Sequence, residues 1–518
     1  MANFCTLNPL AQYDITLSEG NLKATPGSSG GARFYGTHYM TSGKWYCEFL
    51  VTLRSNYHHY GIHAYGDRGY AITEDANNGR VIVRDDGPVY IDGGQSTTVS
   101  SFTTGDVIGI AVDMDNGKLY FYKNNTNISG SGHNITGYQT RAYTFHGLYN
   151  ANAGSTKCNF GQFPWRYDPP SGFVALSTEN LAEPAISNFA AEKPEDHFNT
   201  VLYTGNGTSQ SISLGFQPDL LWIKDRSSGL GNIIFDSVRG TDKFIFSQDT
   251  AAEATGSGIL NSFDSNGFSI GSNGHVNNNS SPFVAWCWKA GGAAVSNTDG
   301  SITSQVSANQ DAGFSIVSFT GTGGNATVGH GLGAVPKFIV VKNRTATNSW
   351  PVHHVSCTSG NVYLNSTNAQ GAGKDVNSSS TTTFSLTTWD AANGGNNPMI
   401  AYCWAEIEGY SSIGNYTGNG STDGPFVYTG FKPALVIRKA YSTTENWSLV
   451  DNERNTYNPV TYFLRSDEGS SDSTGAANVD FLADGFKIRS SDPKTNGSGV
   501  SYLYVAFADS PFKYSSAR

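Results

Sequence analysis

Apolar and polar residues alternate at every second position through much of the first 175 residues. In GDVIGIAVDMDNGKLYFYKN, residues 105–124, two alternating runs flank the pair Asn116-Gly117. Alternation with period two is typical of strands. Asn-Gly between two such runs is the strongest short signal for a hairpin, because a type I′ turn needs positive φ at both central positions. The pattern predicts antiparallel strands joined by tight turns, and hence an all-β fold class.

A second pattern is a threefold repeat in the rest of the chain. Each copy carries a Tyr/Phe-Thr-Gly segment, a strand with a proline, a lysine six residues after that proline, further strands and a closing apolar hexapeptide. The hexapeptides are FVAWCW (Phe283–Trp288), MIAYCW (Met399–Trp404) and YVAFAD (Tyr504–Asp509). A period of about 100 residues is far longer than that of a solenoid, so each copy is expected to be a β-sandwich-type module with its own core.

The two patterns set the expected domain boundaries. An N-terminal β-sandwich covers 1–175, and an acidic linker without strand alternation covers 176–197. The modules span 198–292, 312–409 and 410–518, and a connector at 293–311 separates the first two. A chain of 518 residues is expected to hold about three to five domains, which agrees with this division.

The closing hexapeptides also bear on chemistry. Ala508 of the third copy stands where Cys287 and Cys403 stand in the others, which indicates that cysteine acts here as a small apolar residue rather than as a metal ligand or redox thiol. We expect each hexapeptide to be a closing strand with small residues on one face and aromatic residues on the other. Trp350 and Trp447 share one repeat position with Asn232, and we expect core tryptophans there.

Composition excludes several functional classes. The net charge is −10 and lysine and arginine are scattered, so a nucleic-acid or anionic-membrane surface is not expected. There is no 18-residue apolar span and no signal peptide at the N-terminus, so we predict no membrane insertion and no secretion. The six cysteines form no CxxC pair, which favours reduced thiols and synthesis in the cytoplasm.

Three ordered segments of the first region carry a family resemblance. SGKWYCEF (Ser42–Phe49), residues 105–124 and CNFGQFPWRYDPPSGF (Cys158–Phe173) resemble a SPRY domain in the form found in bacteriophage structural proteins. The resemblance implies a concanavalin-like antiparallel sandwich whose loops bind partners, with no catalytic residues. The connector and TVGHGLGAVPKFIVVKNR resemble repeat modules of tail-fibre and other virion proteins of tailed, notably marine, phages.

These resemblances imply a virion structural protein, synthesised in the host cytoplasm and assembled into the particle. We expect a tail fibre or appendage that binds a bacterial surface glycan or protein and contacts other virion proteins. A homotrimer is expected by analogy with phage fibres. Three alternatives remain open: a capsid or neck decoration without a receptor role, a polysaccharide-degrading tailspike, and a bacterial surface adhesin, against which the missing signal peptide counts.

Candidate chemistry concentrates in NYHHYGIHAYG and the residues that follow it. Aromatic and imidazole rings in a loop can stack on sugars, and the predicted binding residues are Tyr57, His58, His59, Tyr60, Tyr65 and Tyr70. His59 and His63 would share a strand face, but no carboxylate or cysteine nearby completes a metal site. No nucleophile motif or paired catalytic carboxylates stand out, so we predict no enzyme activity, no cofactor and no metal.

Overall fold

The computed structural model describes residues 3–27, 31–55, 57–64, 79–135, 137–138, 141–150, 153–188, 190–378, 380–475 and 477–515. The chain divides into two compact units, Met1–Glu183 and Pro184–Arg518. Strands dominate both units, and the helices are single turns. The predicted all-β fold class is confirmed.

Unit one is a sandwich of two antiparallel sheets. Its strands are β1 Ile15–Ser18, β2 Lys23–Pro26, β3 Ala32–Tyr35, β4 Lys44–Leu53, β5 His58–Ala64, β6 Arg80–Arg84, β7 Pro88–Ile91, β8 Gly94–Thr98, β9 Val107–Asp113, β10 Lys118–Lys123, β11 Thr126–Asn127, β12 His133–Asn134, β13 Tyr143–Tyr149, β14 Ser155–Asn159 and β15 Val174–Ala175. One sheet runs β1-β2-β14-β4-β9-β10-β11, with β12 beside β10 and a parallel β15 beside β4. The other runs β3-β13-β5-β6-β7-β8.

The predicted hairpin is confirmed as β9 and β10, but residues 114–117 join the strands, so the connection is a four-residue loop and not the expected two-residue type I′ turn. Val112 pairs with Leu119, and Gly117 has φ +61° in the turn, a conformation that glycine adopts at little cost. Alternation also decides which side chains enter the core. On β5, Tyr60 and Ile62 are fully buried between the sheets, so the alternate residues His59, Gly61 and His63 point to the outer face.

Unit two contains the three repeat modules. Its strands are β16 Phe198–Thr204, β17 Gln210–Ser213, β18 Leu220–Asp225, β19 Ile233–Asp236, β20 Lys243–Phe246, β21 Ala254–Thr255, β22 Leu260–Asp264, β23 Gly267–Ile270, β24 Pro282–Trp288, β25 Val295–Asn297, β26 Ser304–Asn309, β27 Phe314–Thr320, β28 Ala326–Gly329, β29 Phe338–Asn343, β30 Pro351–His354, β31 Val362–Tyr363, β32 Val376–Ser378, β33 Thr383–Leu386, β34 Pro398–Trp404, β35 Ser411–Thr417, β36 Phe426–Tyr428, β37 Phe431–Ala440, β38 Trp447–Asp451, β39 Val479–Leu482, β40 Gly485–Ile488 and β41 Ser501–Pro511. The one-turn helices are α1 Gly274–Asn277, α2 Asp390–Asn393 and α3 Pro493–Asn496, and a 3₁₀ turn covers Pro194–Asp196.

Every module pairs a larger sheet with a three-stranded sheet. The orders are β16-β24-β18-β19-β20-β21 with β17-β23-β22 in module one, β25-β26-β27-β34-β29-β30-β31 with β28-β33-β32 in module two, and β35-β41-β37-β38 with β36-β40-β39 in module three. The closing strand lies inside the larger sheet in each case. The segment 293–311, expected as a connector, instead supplies β25 and β26 of the larger sheet of module two. An apolar core fills the space between the two sheets of each module.

Strand register corrects the alignment of the third hexapeptide. Tyr203 pairs with Phe283 and Tyr416 pairs with Tyr502, so the third copy begins at Tyr502 and not at Tyr504. Ala506, rather than Ala508, therefore occupies the cysteine position. A shift of two residues keeps every side chain on the same face of a strand, so the apolar pattern alone could not reveal it. An alanine still replaces the cysteine at this position.

The modules also share a second core. The aromatic faces of the three closing strands meet there, and we call this cluster the shared core; its members include Trp222, Ile234, Trp286, Trp288, Phe338, Val352, Tyr402, Trp404, Leu449, Val505 and Phe507. The ring centroid of Trp288 lies 6.0 Å from that of Trp404 and 5.5 Å from that of Phe507, which are equivalent positions of three modules. The modules therefore form one compact unit and not three separate domains.

Equivalent residues make equivalent contacts from module to module. The indole N–H of Trp350 donates to Asp249 O of module one at 3.0 Å, and that of Trp447 donates to Tyr363 O of module two at 2.9 Å. Asn232 closes the cycle by donating to main-chain carbonyls of module three. Both tryptophans are fully buried, so the prediction of core tryptophans is confirmed. The cyclic pattern gives unit two approximate threefold symmetry.

The lysines of the repeat lie inside this arrangement. Lys224, Lys342 and Lys439 are fully buried, and each ammonium group donates to main-chain carbonyls. Lys342 reaches Thr250 O of module one at 2.9 Å, and Lys439 reaches Thr367 O of module two at 3.0 Å. Burial lowers the pKa of each lysine to about 8. Lys342 and Lys439 thus connect neighbouring modules, whereas the carbonyls bound by Lys224 belong to module one itself.

The segment predicted as a linker is divided between the two units. Ser177 forms an isolated antiparallel β-bridge with Phe4 at the start of unit one. Ile186 is buried in the shared core of unit two, and Asn188 accepts a hydrogen bond from Ser510. Much of 176–197 is therefore packed structure.

Candidate ligand-binding site

The outer face of one unit-one sheet carries a cavity of about 210 Å³. Strands β3, β13, β5, β6 and β7 lie side by side, and register places Leu148 opposite both Arg33 and His59, with His59 opposite Arg84. We call this cavity the arginine pocket; its lining residues are Arg33, His59, Arg80, Ile82, Arg84, Tyr90, Gly93, Leu148 and Asn150. Five strands, together with Gly93 after β7 and Asn150 after β13, thus line one concavity.

The guanidinium group of Arg84 is held in place by two aromatic rings and one carboxylate. The Cζ atom of Arg84 lies 5.0 Å from the ring centroid of Tyr57 and 5.5 Å from that of Tyr90. Asp86 accepts from Nε and Nη2 of Arg84 at 2.6 and 2.8 Å. Stacking and a bidentate pair fix the guanidinium plane while leaving further N–H donors available.

Two buried nitrogen atoms at the pocket have no hydrogen-bond partner among the described residues. They are Nε of Arg33, whose residue is 7% exposed, and Nδ1 of His59, whose residue is 6% exposed. A buried polar group without a partner costs about 1–3 kcal/mol, and a charged one costs more. Both residues line the cavity.

The charged groups among the described lining residues of the pocket are guanidinium groups. Burial, together with the charges of Arg80 and Arg84, lowers the pKa of His59 to about 3, so this imidazole is neutral. Burial likewise lowers the pKa of His63 to about 4. The guanidinium groups therefore supply the charge, and no carboxylate is among the described residues that line the pocket.

The predicted binding residues separate in the structure. His59 lines the pocket, and Tyr57, 47% exposed, stacks on Arg84 at its rim. His58 and Tyr60 were wrongly expected in a surface loop. They belong to a central strand and point into the sandwich, where His58 Nδ1 lies 3.2 Å from the Tyr60 hydroxyl and that hydroxyl contacts Thr156.

Tyr65 and Tyr70, the other two predicted binding residues, lie outside the described residues. Sequence patterns did not single out Arg33, Arg80 or Arg84 as binding residues. The segment RVIVR places Arg80, Ile82 and Arg84 on one strand face. Two cations on either side of an apolar residue could have indicated a binding surface. Arg33 carried no such signal, because it comes from a distant strand that β13 brings alongside.

His59 and His63 share the outer face, as expected from their spacing. The ring centroid of His63 lies 5.4 Å from that of His146 and 5.7 Å from that of Tyr35. Across the described residues, no cluster of three His, Cys, Asp or Glu side chains is arranged to hold a metal ion. No described helix is long and apolar enough to span a membrane.

Comparison with known families follows the division into units. Residues 193–511 match the model of a domain of unknown function, DUF7483, and residues 54–162 match the SPRY domain. The chain belongs to the DUF7483 family. Its first unit contains a SPRY domain over residues 54–162, which confirms that part of the sequence resemblance. No curated protein sequence matches the chain.

Solved structures are similar to this DUF7483 protein over 30% of its chain. The SPRY domain of human HERC1 is 19% identical, with 30% of this chain and 99% of that one covered and a TM-score of 0.27. The stonustoxin structure is 22% identical, with 30% of this chain and 27% of that one covered and a TM-score of 0.25. The TRIM65 PSpry domain is 10% identical, covering 30% and 90% with a TM-score of 0.25.

Proposed function

We propose that this protein is a structural component of a bacteriophage virion, a tail fibre or appendage whose SPRY domain recognises the bacterial surface by non-covalent binding. The observation that carries the proposal is the arginine pocket on the outer face of the SPRY sheet. Rigid strands position its guanidinium and aromatic groups, so little side-chain entropy is lost when a ligand binds. Many copies on one particle would convert a weak single contact into firm attachment.

Unit two suits the role of a scaffold in this proposal. Its modules are connected by the shared core, by buried lysines and by hydrogen bonds that close a cycle. Ion pairs add to this, with Arg344 of module two on Glu253 of module one at 2.8 Å and Arg226 of module one on Asp472 of module three at 2.7 Å. A unit connected in this way resists partial opening under load.

Antibody labelling tests the assignment to the virion. Antiserum raised against the full chain is applied to purified particles and imaged by negative-stain electron microscopy, with preimmune serum as the control. We expect label on the tail or an appendage. Label on the capsid would replace adhesion with a decoration role, and unlabelled particles that also lack the chain by mass spectrometry would contradict a virion role.

The homotrimer forms part of the same proposal. Light scattering on the purified protein distinguishes the 55.3 kDa monomer from an assembly of about three times that mass. A trimer that persists on dilution agrees with the proposal. A monomer at every concentration contradicts it and leaves the internal threefold repeat as the single threefold element of the protein.

A further inference from the structure

The arginine pocket has the chemistry of an anion site. Arg33, Arg80 and Arg84 line one cavity with neutral His59, and Asp86 pairs with Arg84. Guanidinium groups bind carboxylate and phosphate oxygens through paired N–H donors. Nε of Arg33, on a residue 7% exposed, has no hydrogen-bond partner among the described residues. An oxyanion in the cavity supplies the acceptor that this buried donor lacks.

The rest of the lining favours a sugar as the carrier of that anion. Ile82, Leu148 and the ring of Tyr90 form an apolar wall, and an aromatic ring beside C–H groups is a common surface for a sugar ring. Asn150 and the imidazole of His59 add polar groups suited to hydroxyls. The cavity of about 210 Å³ lies below the range of about 300–1,000 Å³ for drug-sized ligands, so it suits one sugar residue.

We propose that the arginine pocket binds a single acidic sugar residue, held by guanidinium groups through its carboxylate or phosphate. The carboxylate of a uronic acid and the phosphate of a phosphorylated sugar share this chemistry. The inference rests on the proposed host-surface recognition, because it names the ligand class of the same SPRY face. It predicts attachment to acidic glycans.

Ligand titration of the full-length protein tests the proposal. Glucuronate, glucose 6-phosphate and glucose are titrated by isothermal calorimetry at low salt, with saturation-transfer NMR for weak binding. We expect at least one acidic sugar to bind about tenfold or more tightly than glucose, since a hydrogen bond to a charged group contributes about 1.5–3 kcal/mol. The preferred acid identifies the carboxylate or the phosphate as the natural group. Equal binding of glucose, or no binding of either acid, overturns the proposal.

Variants locate the site. Arg84→Gln is expected to weaken binding of the preferred acid about tenfold, and Asn150→Asp, which adds a negative charge to the lining without removing a guanidinium, is expected to weaken it as well. Lys118→Gln removes one positive charge from the opposite sheet and should bind as the wild type does. If folded Arg84→Gln and Asn150→Asp both keep wild-type affinity, the pocket is not the site.

These measurements fail independently of the proposed function. Particle labelling does not depend on the pocket, so a labelled tail with no acidic-sugar binding removes the ligand class alone. Acidic-sugar binding by a protein that is absent from the particle removes the virion role alone.

Discussion

The approximate threefold symmetry of unit two provides a stability test with an internal control. Arg454 is fully buried at the contact between modules three and one, with its Nε 2.7 Å from Asp451 and Nη1 2.8 Å from Asp472. Asp451 also accepts from the indole N–H of Trp286 at 3.1 Å. Arg454→Met leaves the Asp451 carboxylate buried without its cation. Breaking a buried pair in this way costs about 3–5 kcal/mol.

Cys357 supplies the matched control, because it occupies the same position of module two without an ion pair. Strand register equates Asp236, His354 and Asp451, and each is followed three residues later by Arg239, Cys357 or Arg454. Cys357→Ala removes one buried sulfur atom and is expected to cost about 1–2 kcal/mol. The contrast between the two variants isolates the buried charge.

Urea unfolding followed by tryptophan fluorescence measures both variants, since seven of the nine tryptophans lie in unit two. The free energy of unfolding should fall at least twice as far for Arg454→Met as for Cys357→Ala. The double variant with Asp451→Asn should recover part of the loss, because the amide oxygen still accepts from Trp286. A cost below about 1 kcal/mol for Arg454→Met would refute the reasoning on buried charge.

Three further predictions follow from buried side chains. Trp447→Ala should lower the free energy of unfolding by about 3–5 kcal/mol, measured by urea unfolding, and a loss under about 1 kcal/mol would contradict its place in the shared core. Asn496→Ala should lower the free energy of unfolding by about 2–3 kcal/mol in the same assay, because the buried Asn496 amide donates hydrogen bonds to Ser421 O and Ser490 O. An unchanged urea midpoint would contradict this. Burial lowers the pKa of His59 and His354 to about 3. The contribution of each neutral imidazole to the free energy of unfolding is therefore complete above about pH 6.5, and it falls by about 1.4 kcal/mol per pH unit as the pH drops toward 3. Melting temperatures that do not fall between pH 7 and pH 5 would contradict that sign.

Most of the fold could be predicted from local sequence patterns. The β9–β10 hairpin and the repeat were predictable because turn residues and strand alternation act over a few residues. The shared core was harder to foresee. FVAWCW is apolar on both faces, which is the signature of a strand buried on both sides, yet the sequence does not say that the second face meets two other modules.

The site was predicted only in part because a pocket on a sheet combines strands that are distant in sequence. His59 and Tyr57 lay in the segment that drew attention, but their neighbours His58 and Tyr60 alternate to the opposite face. Arg33 reaches the pocket only through the pairing of β3 with β13. Which face of a strand is buried, and which strand lies beside it, depends on the whole sheet.

Attachment to bacteria tests the proposed recognition most directly. Fluorescently labelled full-length protein is incubated with host cells, and bound fluorescence is measured for the wild type, for Arg84→Gln and for Lys118→Gln. We predict saturable binding by the wild type and by Lys118→Gln, with loss of most binding by Arg84→Gln. Binding of folded Arg84→Gln equal to that of the wild type, or no saturable binding by any of the three, would contradict recognition through the SPRY pocket.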